Sequence, residues 1–204
     1  VADAARERLE SLNVYYDHRF ARQAVKILPG EYFATCNEHL IVTVLGSCVS
    51  ACLRDTQNGI YGMNHFLLPN EYGDTCHEYG APARYGMYAM ELMINEMLSL
   101  GADRRYLQAK VFGGGNVLKG ITVNNVGAKN AEFVTRYLRT ENIPVVASDL
   151  LGNYPRKIYF FPETGEIKVK RLLRLNNTTI LDREALYRMK LKTSMTNTDF
   201  DLFE

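Results

Sequence analysis

Three things are scarce in this 204-residue chain, and each scarcity excludes something. Net charge is the first: 24 lysines and arginines against 23 aspartates and glutamates leave +1, too little field to gather nucleic acid or an anionic membrane surface. Long apolar runs are the second, since none reaches the roughly 18 residues a membrane span needs. The start, Val1-Ala2-Asp3-Ala4-Ala5-Arg6-Glu7, is too charged for a secretory leader. A cytoplasmic protein with no direct membrane insertion is therefore expected, and a start at Val1 rather than Met suggests a piece trimmed from something longer. Cysteine is the third. Cys36, Cys48, Cys52 and Cys76 could form two disulfides, but a chain that is 47% hydrophobic closes a core without staples, so four free thiols are expected. Cys48-x-x-x-Cys52 and Cys76-His77 carry ligand atoms without the paired short spacings of a structural zinc site, so no metal is expected.

Internal repeats, low-complexity tracts and composition shifts are also missing, which leaves a single domain over 1–204. A short surface helix is expected over 4–12, then an aromatic stretch, Tyr15 to Phe20, and a strand at Ala24 to Leu28. Leu40 to Leu45 is rich in β-branched residues and stops at Gly46-Ser47, a breaker pair. Val49 to Leu53 reads as a strand buried on both faces, and Ile60 to Leu68 returns as its hairpin partner. Asn70 to Pro82 reads as a loop leading into a helix from about Ala83 to Leu100, closed by Gly101, with Met87, Met90, Met93, Ile94, Met97 and Leu98 forming a core stripe. A strand at Leu107 to Phe112, the Gly113-Gly114-Gly115-Asn116 loop and a helix at about Lys129 to Thr140 follow. Strands are expected at Val145 to Ala147, Lys157 to Phe161 and Glu166 to Lys170, and one last helix at Arg183 to Lys192 in a polar, partly mobile tail.

Chemistry concentrates around Cys48. A nucleophilic thiol needs a base in reach and backbone amides aimed at the developing oxyanion. A hairpin turn centred on the Thr56–Gln57 bond sets Cys48 directly across from His65, with Cβ atoms about 4.5–5.5 Å apart, near enough for a thiolate–imidazolium pair. A type I′ turn on Asn58-Gly59 sets Cys52 there instead. Either register puts Cys48, Cys52 and His65 on one face, so register alone does not choose the nucleophile. Gly46-Ser47 favours Cys48, because a turning backbone leaves amides unpaired, whereas Cys52 in mid-strand reads as core filler. Thr43 could accept the second ring N–H of His65, although strand threonines commonly just suit the pleat. The glycine loop lacks phosphate-motif spacing and more plausibly allows a close backbone approach. Lys129 and Asn130 could serve an anion or simply cap a helix.

The run Thr43-Val44-Leu45-Gly46-Ser47-Cys48-Val49-Ser50-Ala51-Cys52-Leu53-Arg54-Asp55, with Gly62-Met63-Asn64-His65-Phe66-Leu67-Leu68-Pro69, closely resembles the chemoreceptor glutamine deamidase family, CheD. So do Ala109 to Gly115, Val126-Gly127-Ala128-Lys129-Asn130-Ala131, Pro155-Arg156-Lys157 and Thr164-Gly165; an Ala128-Lys129 pair stands where the family more often has an arginine. The likeness covers roughly 24–172, leaving extensions at 1–23 and 173–204. It implies an α+β fold, a layered sandwich of β-sheets with helices packed on one side, similar to deamidating bacterial toxins. It also implies a protein-glutamine deamidase of bacterial chemotaxis that needs no cofactor. The roles of nucleophile, base and orienting group then fall on Cys48, His65 and Thr43. Beside them, Gly46, Ser47, Gly114 and Asn116 are expected from the two turns themselves as oxyanion or substrate contacts. Expected partners are cytoplasmic helices of chemoreceptors and a CheC-type phosphatase, with glutamate methylesterase activity as a side reaction. The different-class alternative is a non-catalytic chemotaxis module that clasps a receptor helix or such a phosphatase.

Overall fold

A computed structural model describes residues 12–68, 81–117, 126–172 and 178–198. The expected helix at 4–12 lies outside the described residues but for Leu12, and the expected loop at 70–82 but for Ala81 and Pro82, which are already helical. Two five-stranded sheets carry the chain. The first, in order β1-β2-β4-β9-β10, comprises Asn13–Asp17, Arg22–Lys26, Leu40–Leu45, Arg156–Phe161 and Glu166–Arg171. The second, in order β3-β6-β5-β7-β8, comprises Tyr32–Thr35, Tyr61–Asn64, Val49–Asp55, Leu107–Gly113 and Val145–Leu150. Helices α1 (Ala81–Ser99), α2 (Val126–Thr140) and α3 (Thr178–Thr198) complete the described elements, with one short 3-10 turn at Arg104–Tyr106. The fold is α+β, as expected.

Side-chain alternation assigns the layers. Ile41, Leu45, Ile158 and Phe160 of the first sheet meet Phe33, Cys52, Met63 and Phe112 of the second in one apolar cluster, so the sheets pack face to face. The opposite face of the second sheet, Val49, Ala51, Leu53, Ala109 and Val111, is covered by α1 and α2. Met90, Met93, Ile94 and Met97 are fully buried there, which is the core role expected of the methionine stripe. Carbonyls of Leu98 and Met97 accept from Gly101 and Ala102 where α1 ends.

Three elements differ from expectation. Residues 13–17 form an edge strand paired to β2, so the first sheet begins before residue 24. Tyr32–Thr35 pairs with β6 and went unread because four residues carry too little pattern to stand out. The last helix runs over Thr178–Thr198, longer than expected, and the described part of the tail is ordered against the domain, with Glu184 and Leu191 buried.

Candidate active site

The hairpin that presents the site adopts neither expected register. Cys52 pairs with Met63, Leu53 with Gly62 and Arg54 with Tyr61, and an isolated bridge joins Val49 to Phe66. The loop is therefore Thr56 to Gly59, closed by the Asp55 amide donating to the Ile60 carbonyl at 2.8 Å. Its four-residue length follows from Asp55, whose carboxylate accepts the amides of Gln57 and Asn58 at 2.8 and 2.9 Å and so winds the chain without a two-residue turn. Ser50 then faces His65, and Cys48 lies diagonally from it on the same face, a Cβ separation of about 7 Å by sheet geometry. Between these pairings the Asn64 side chain accepts the Ala51 amide at 2.9 Å and fills the gap in the ladder.

Cys48 ends a turn whose backbone is fixed from one side and open on the other. All three carbonyls are held: that of Gly46 accepts from the Gly115 amide at 2.8 Å and that of Cys48 from the Gly114 amide at 2.7 Å. The Ser47 carbonyl accepts from the Asn130 side chain at 2.8 Å. The glycine loop makes the close approach expected of it, since a Cβ at Gly113 (φ +107°) would stand 2.2 Å from the Cys48 carbonyl oxygen. With the carbonyls tied back, the three amides point forward together. All donate to one atom, Oε1 of Glu184 on α3, at 3.1 Å from Gly46, 2.9 Å from Ser47 and 3.3 Å from Cys48. Such an amide nest is the concavity in which an anionic oxygen is stabilised.

His65 projects between the sheets toward β4. Thr43 Oγ1 lies 2.7 Å from Nδ1 and donates to the Ile27 carbonyl at 2.7 Å. Because a carbonyl only accepts, the hydroxyl proton is committed to Ile27 and Nδ1 carries the proton toward Thr43. Nε2 is left as a bare acceptor, buried and without a partner among the described residues. A crevice lined by Thr43, His65 and Glu184 joins the imidazole to the carboxylate.

Charge states differ from the expected thiolate–imidazolium pair. Burial pushes the Cys48 thiol well up, and the nearby charge of Glu184 and a hydrogen bond to it push it further, against the opposing Arg188. Burial pulls His65 down to about 3, with the Ile27 carbonyl opposing. Both shifts favour the neutral forms, the imidazole's through burial alone and the thiol's through burial and then Glu184.

Of the other residues singled out, Gly46 and Ser47 supply nest amides. Gly114 and Asn116 do not: their amides are bound to the carbonyls of Cys48 and Gly152, and Asn116 is exposed. Gly114 instead braces the turn. Asn130 is likewise a brace, accepting the Leu68 amide at 2.9 Å while it donates to Ser47, whereas Lys129 is exposed and apart. Cys52 is buried beside Ser50, with its thiol pushed up to about 12 mainly by burial, as core filler should be. Cys36, Cys48 and Cys52 are free thiols, and Cys76 lies outside the described residues. Among the described residues no cluster of three or more metal-ligating side chains occurs, and no helix is long and apolar enough to cross a membrane. Glu184 was missed because no pattern near it marks a carboxylate that reaches a turn 136 residues earlier.

A thiol on an amide nest, with a hydroxyl-anchored imidazole on the same face of a two-sheet sandwich, is equipment for cysteine-based acyl chemistry. The family model for CheD, described as "CheD chemotactic sensory transduction", matches residues 67–171. The chain is 57% identical over 195 residues to a probable chemoreceptor glutamine deamidase CheD 1 of Shewanella oneidensis, covering 96% of this chain and 95% of that protein. It is 54% identical over 201 residues to a probable chemoreceptor glutamine deamidase CheD of Thiobacillus denitrificans, covering 98% and 100%. A protein of the same description from Methylobacillus flagellatus is 52% identical over the full length of both chains. The chain belongs to the CheD family.

Proposed function

We propose that this protein deamidates specific glutamines on the cytoplasmic helices of chemoreceptors, with Cys48 as nucleophile, His65 as acid and base, and Thr43 as the group that orients the imidazole. The observation that carries it is the convergence of the Gly46, Ser47 and Cys48 amides on a single carboxylate oxygen beside the thiol. A glutamine amide oxygen seated there gains negative charge as the thiolate attacks, and three preorganised donors hold that charge where it develops. Nε2 of His65 takes the thiol proton and returns it to the departing ammonia, then draws a proton from water as the thioester is hydrolysed to glutamate. Thr43, fixed by Ile27, holds the proton on Nδ1, so that Nε2 is the nitrogen that accepts and returns the proton. A glutamate methyl ester offers the same acyl carbon, so methylesterase activity belongs to the same site. The names of the full-length relatives support the substrate class.

A second possibility, a chemotaxis module that clasps a receptor helix or a CheC-type phosphatase without chemistry, draws on the covered, protonated thiol. One assay separates them. Incubated with a glutamine-bearing receptor helix, the protein should release ammonia and convert the peptide amide to the acid by mass, and Cys48→Ala should lower the rate by about 10³-fold or more. Equal rates for wild type and a folded Cys48→Ala protein exclude the thiol mechanism.

A further inference from the structure

The group that fills the nest comes from the chain itself. Glu184 is the residue that deamidation of a glutamine would leave, and it is seated as such a product would be. Oε1 lies in the amide nest and Oε2 accepts from the Ser47 hydroxyl at 2.6 Å, with the charge of the same carboxylate among the causes that push the Cys48 thiol up after burial. The rest of α3 is arranged around that contact. Glu184, Tyr187, Arg188 and Leu191 share one helical face. Tyr187 packs where a side chain at Gly30 would stand, and its hydroxyl bonds to that of Tyr85 on α1. Arg188 donates to the Ser47 hydroxyl at 2.9 Å, and Leu191 is buried one turn further on. Leu186 and Met189 face solvent on the other side. A helix laid on the surface by one buried face, presenting one acyl side chain to a nucleophile, is the geometry a helical substrate requires.

We propose that the surface beneath α3 is the docking groove for the substrate helix, and that α3 occupies it as a built-in product mimic which the substrate must displace. This rests on the deamidase function proposed above and adds its regulation. Burial first, and then the charge of the seated carboxylate, push the Cys48 thiol up, so the closed form disfavours the thiolate. Displacing α3 therefore frees the nest and the thiol together. Because only the open fraction binds substrate, the closed helix raises the apparent KM in inverse proportion to the open fraction and leaves kcat at saturation unchanged.

Glu184→Gln converts the mimic into an intramolecular substrate. The Cys48 sulfur bonds to the side-chain carbonyl carbon of the glutamine introduced at position 184, and the C–N bond breaks. Ammonia leaves with the thiol proton delivered through His65, and water cleaves the thioester to regenerate the thiol and leave glutamate at that position. The test follows wild type, Glu184→Ala, Tyr187→Ala and Glu184→Gln, the last also combined with Cys48→Ala. Expected results are a KM for a receptor helix lowered about 10-fold in Glu184→Ala at constant kcat, a smaller fall in Tyr187→Ala, and time-dependent conversion of residue 184 from glutamine to glutamate, by peptide mass, only while Cys48 is present. Tyr187→Ala leaves the nest intact and keeps the proposal testable if Glu184→Ala folds poorly. An active wild type with unchanged KM in both opening variants, or a stable glutamine at position 184 in a protein that deamidates receptor helices, overturns the product mimic and spares the deamidase. Inactivity of every protein toward any glutamine overturns both.

Discussion

Strand β5 has a carboxylate at each end, and each gathers three backbone amides. At the far end Asp55 accepts from Gln57, Asn58 and Asp103, with the Asn58 side chain as a fourth donor. At the near end Glu184 accepts from Gly46, Ser47 and Cys48. The difference lies in ownership. Asp55 belongs to the turn it organises, so the anion and its Gln57 and Asn58 donors fold as one unit, which the Asp103 amide then joins. The near nest holds its shape through carbonyl contacts to Gly114, Gly115 and Asn130, none of which involves the anion, and its occupant arrives from a distant helix. A nest that stands without its anion is a binding site; one that needs its anion is architecture.

Substitutions at the two ends should therefore fail in different ways. The largest effect is expected from Cys48→Ala, about 10³-fold or more in kcat/KM, equivalent to about 4 kcal/mol of transition-state stabilisation. Thermal unfolding of that variant should stay near wild type, and Cys52→Ala should show the reverse pattern, with the fold weakened and the chemistry kept. Next is Asp55→Ala, which strips four donors of their acceptor and should cost about 3 kcal/mol, lowering Tm by roughly 9 °C in calorimetry. Its residual folded fraction should deamidate at the wild-type rate. A loss of kcat without a loss of Tm would erase the distinction between the ends.

Thr43→Val removes the acceptor of the Nδ1 proton at nearly constant volume and should lower kcat about 10-fold, with Thr43→Ser restoring it and with KM little changed. Smallest over a single pH unit is the effect on the pH dependence of stability. Burial holds His65 near 3 in the folded protein against 6.5 as its ordinary value, so the unfolded chain binds the extra proton first. Stability is then full above about pH 6.5 and falls as pH drops toward 3, by about 1 kcal/mol between pH 6.5 and 5.5. Denaturant titrations of wild type and His65→Gln should differ in this slope. Asp55, whose burial raises it but whose hydrogen bonds from the Asn58 side chain and from the Asp103, Asn58 and Gln57 amides hold it below the usual value, loses its share only at more acid pH.

Much of the near end was legible in the sequence. Gly46-Ser47 before Cys48 announced a turn with spare amides, and strand alternation put Cys48, Cys52 and His65 on one face in any odd register. The register itself was not legible, because Asp55 winds a four-residue loop through a side-chain interaction that competes with both two-residue turns. Thr43 could be named from its strand position, but its role depends on the Ile27 carbonyl, a contact between separate strands. Asn130 looked like helix-cap polarity and proved to clasp Ser47 and Leu68. Glu184 was beyond reach: an acidic residue on a weakly patterned helix reads as a solvated one until the helix is seen to lie on the turn.

The claim on which all this turns is that the acyl group passes through Cys48. Acid-quenched single-turnover reactions with a receptor helix, followed by peptide mapping, test it directly. The predicted result is the substrate attached to the Cys48 peptide with loss of one ammonia, rising and then decaying in the wild type and absent in Cys48→Ala. Deamidation at full rate with no adduct, or an adduct on Cys52, would contradict it.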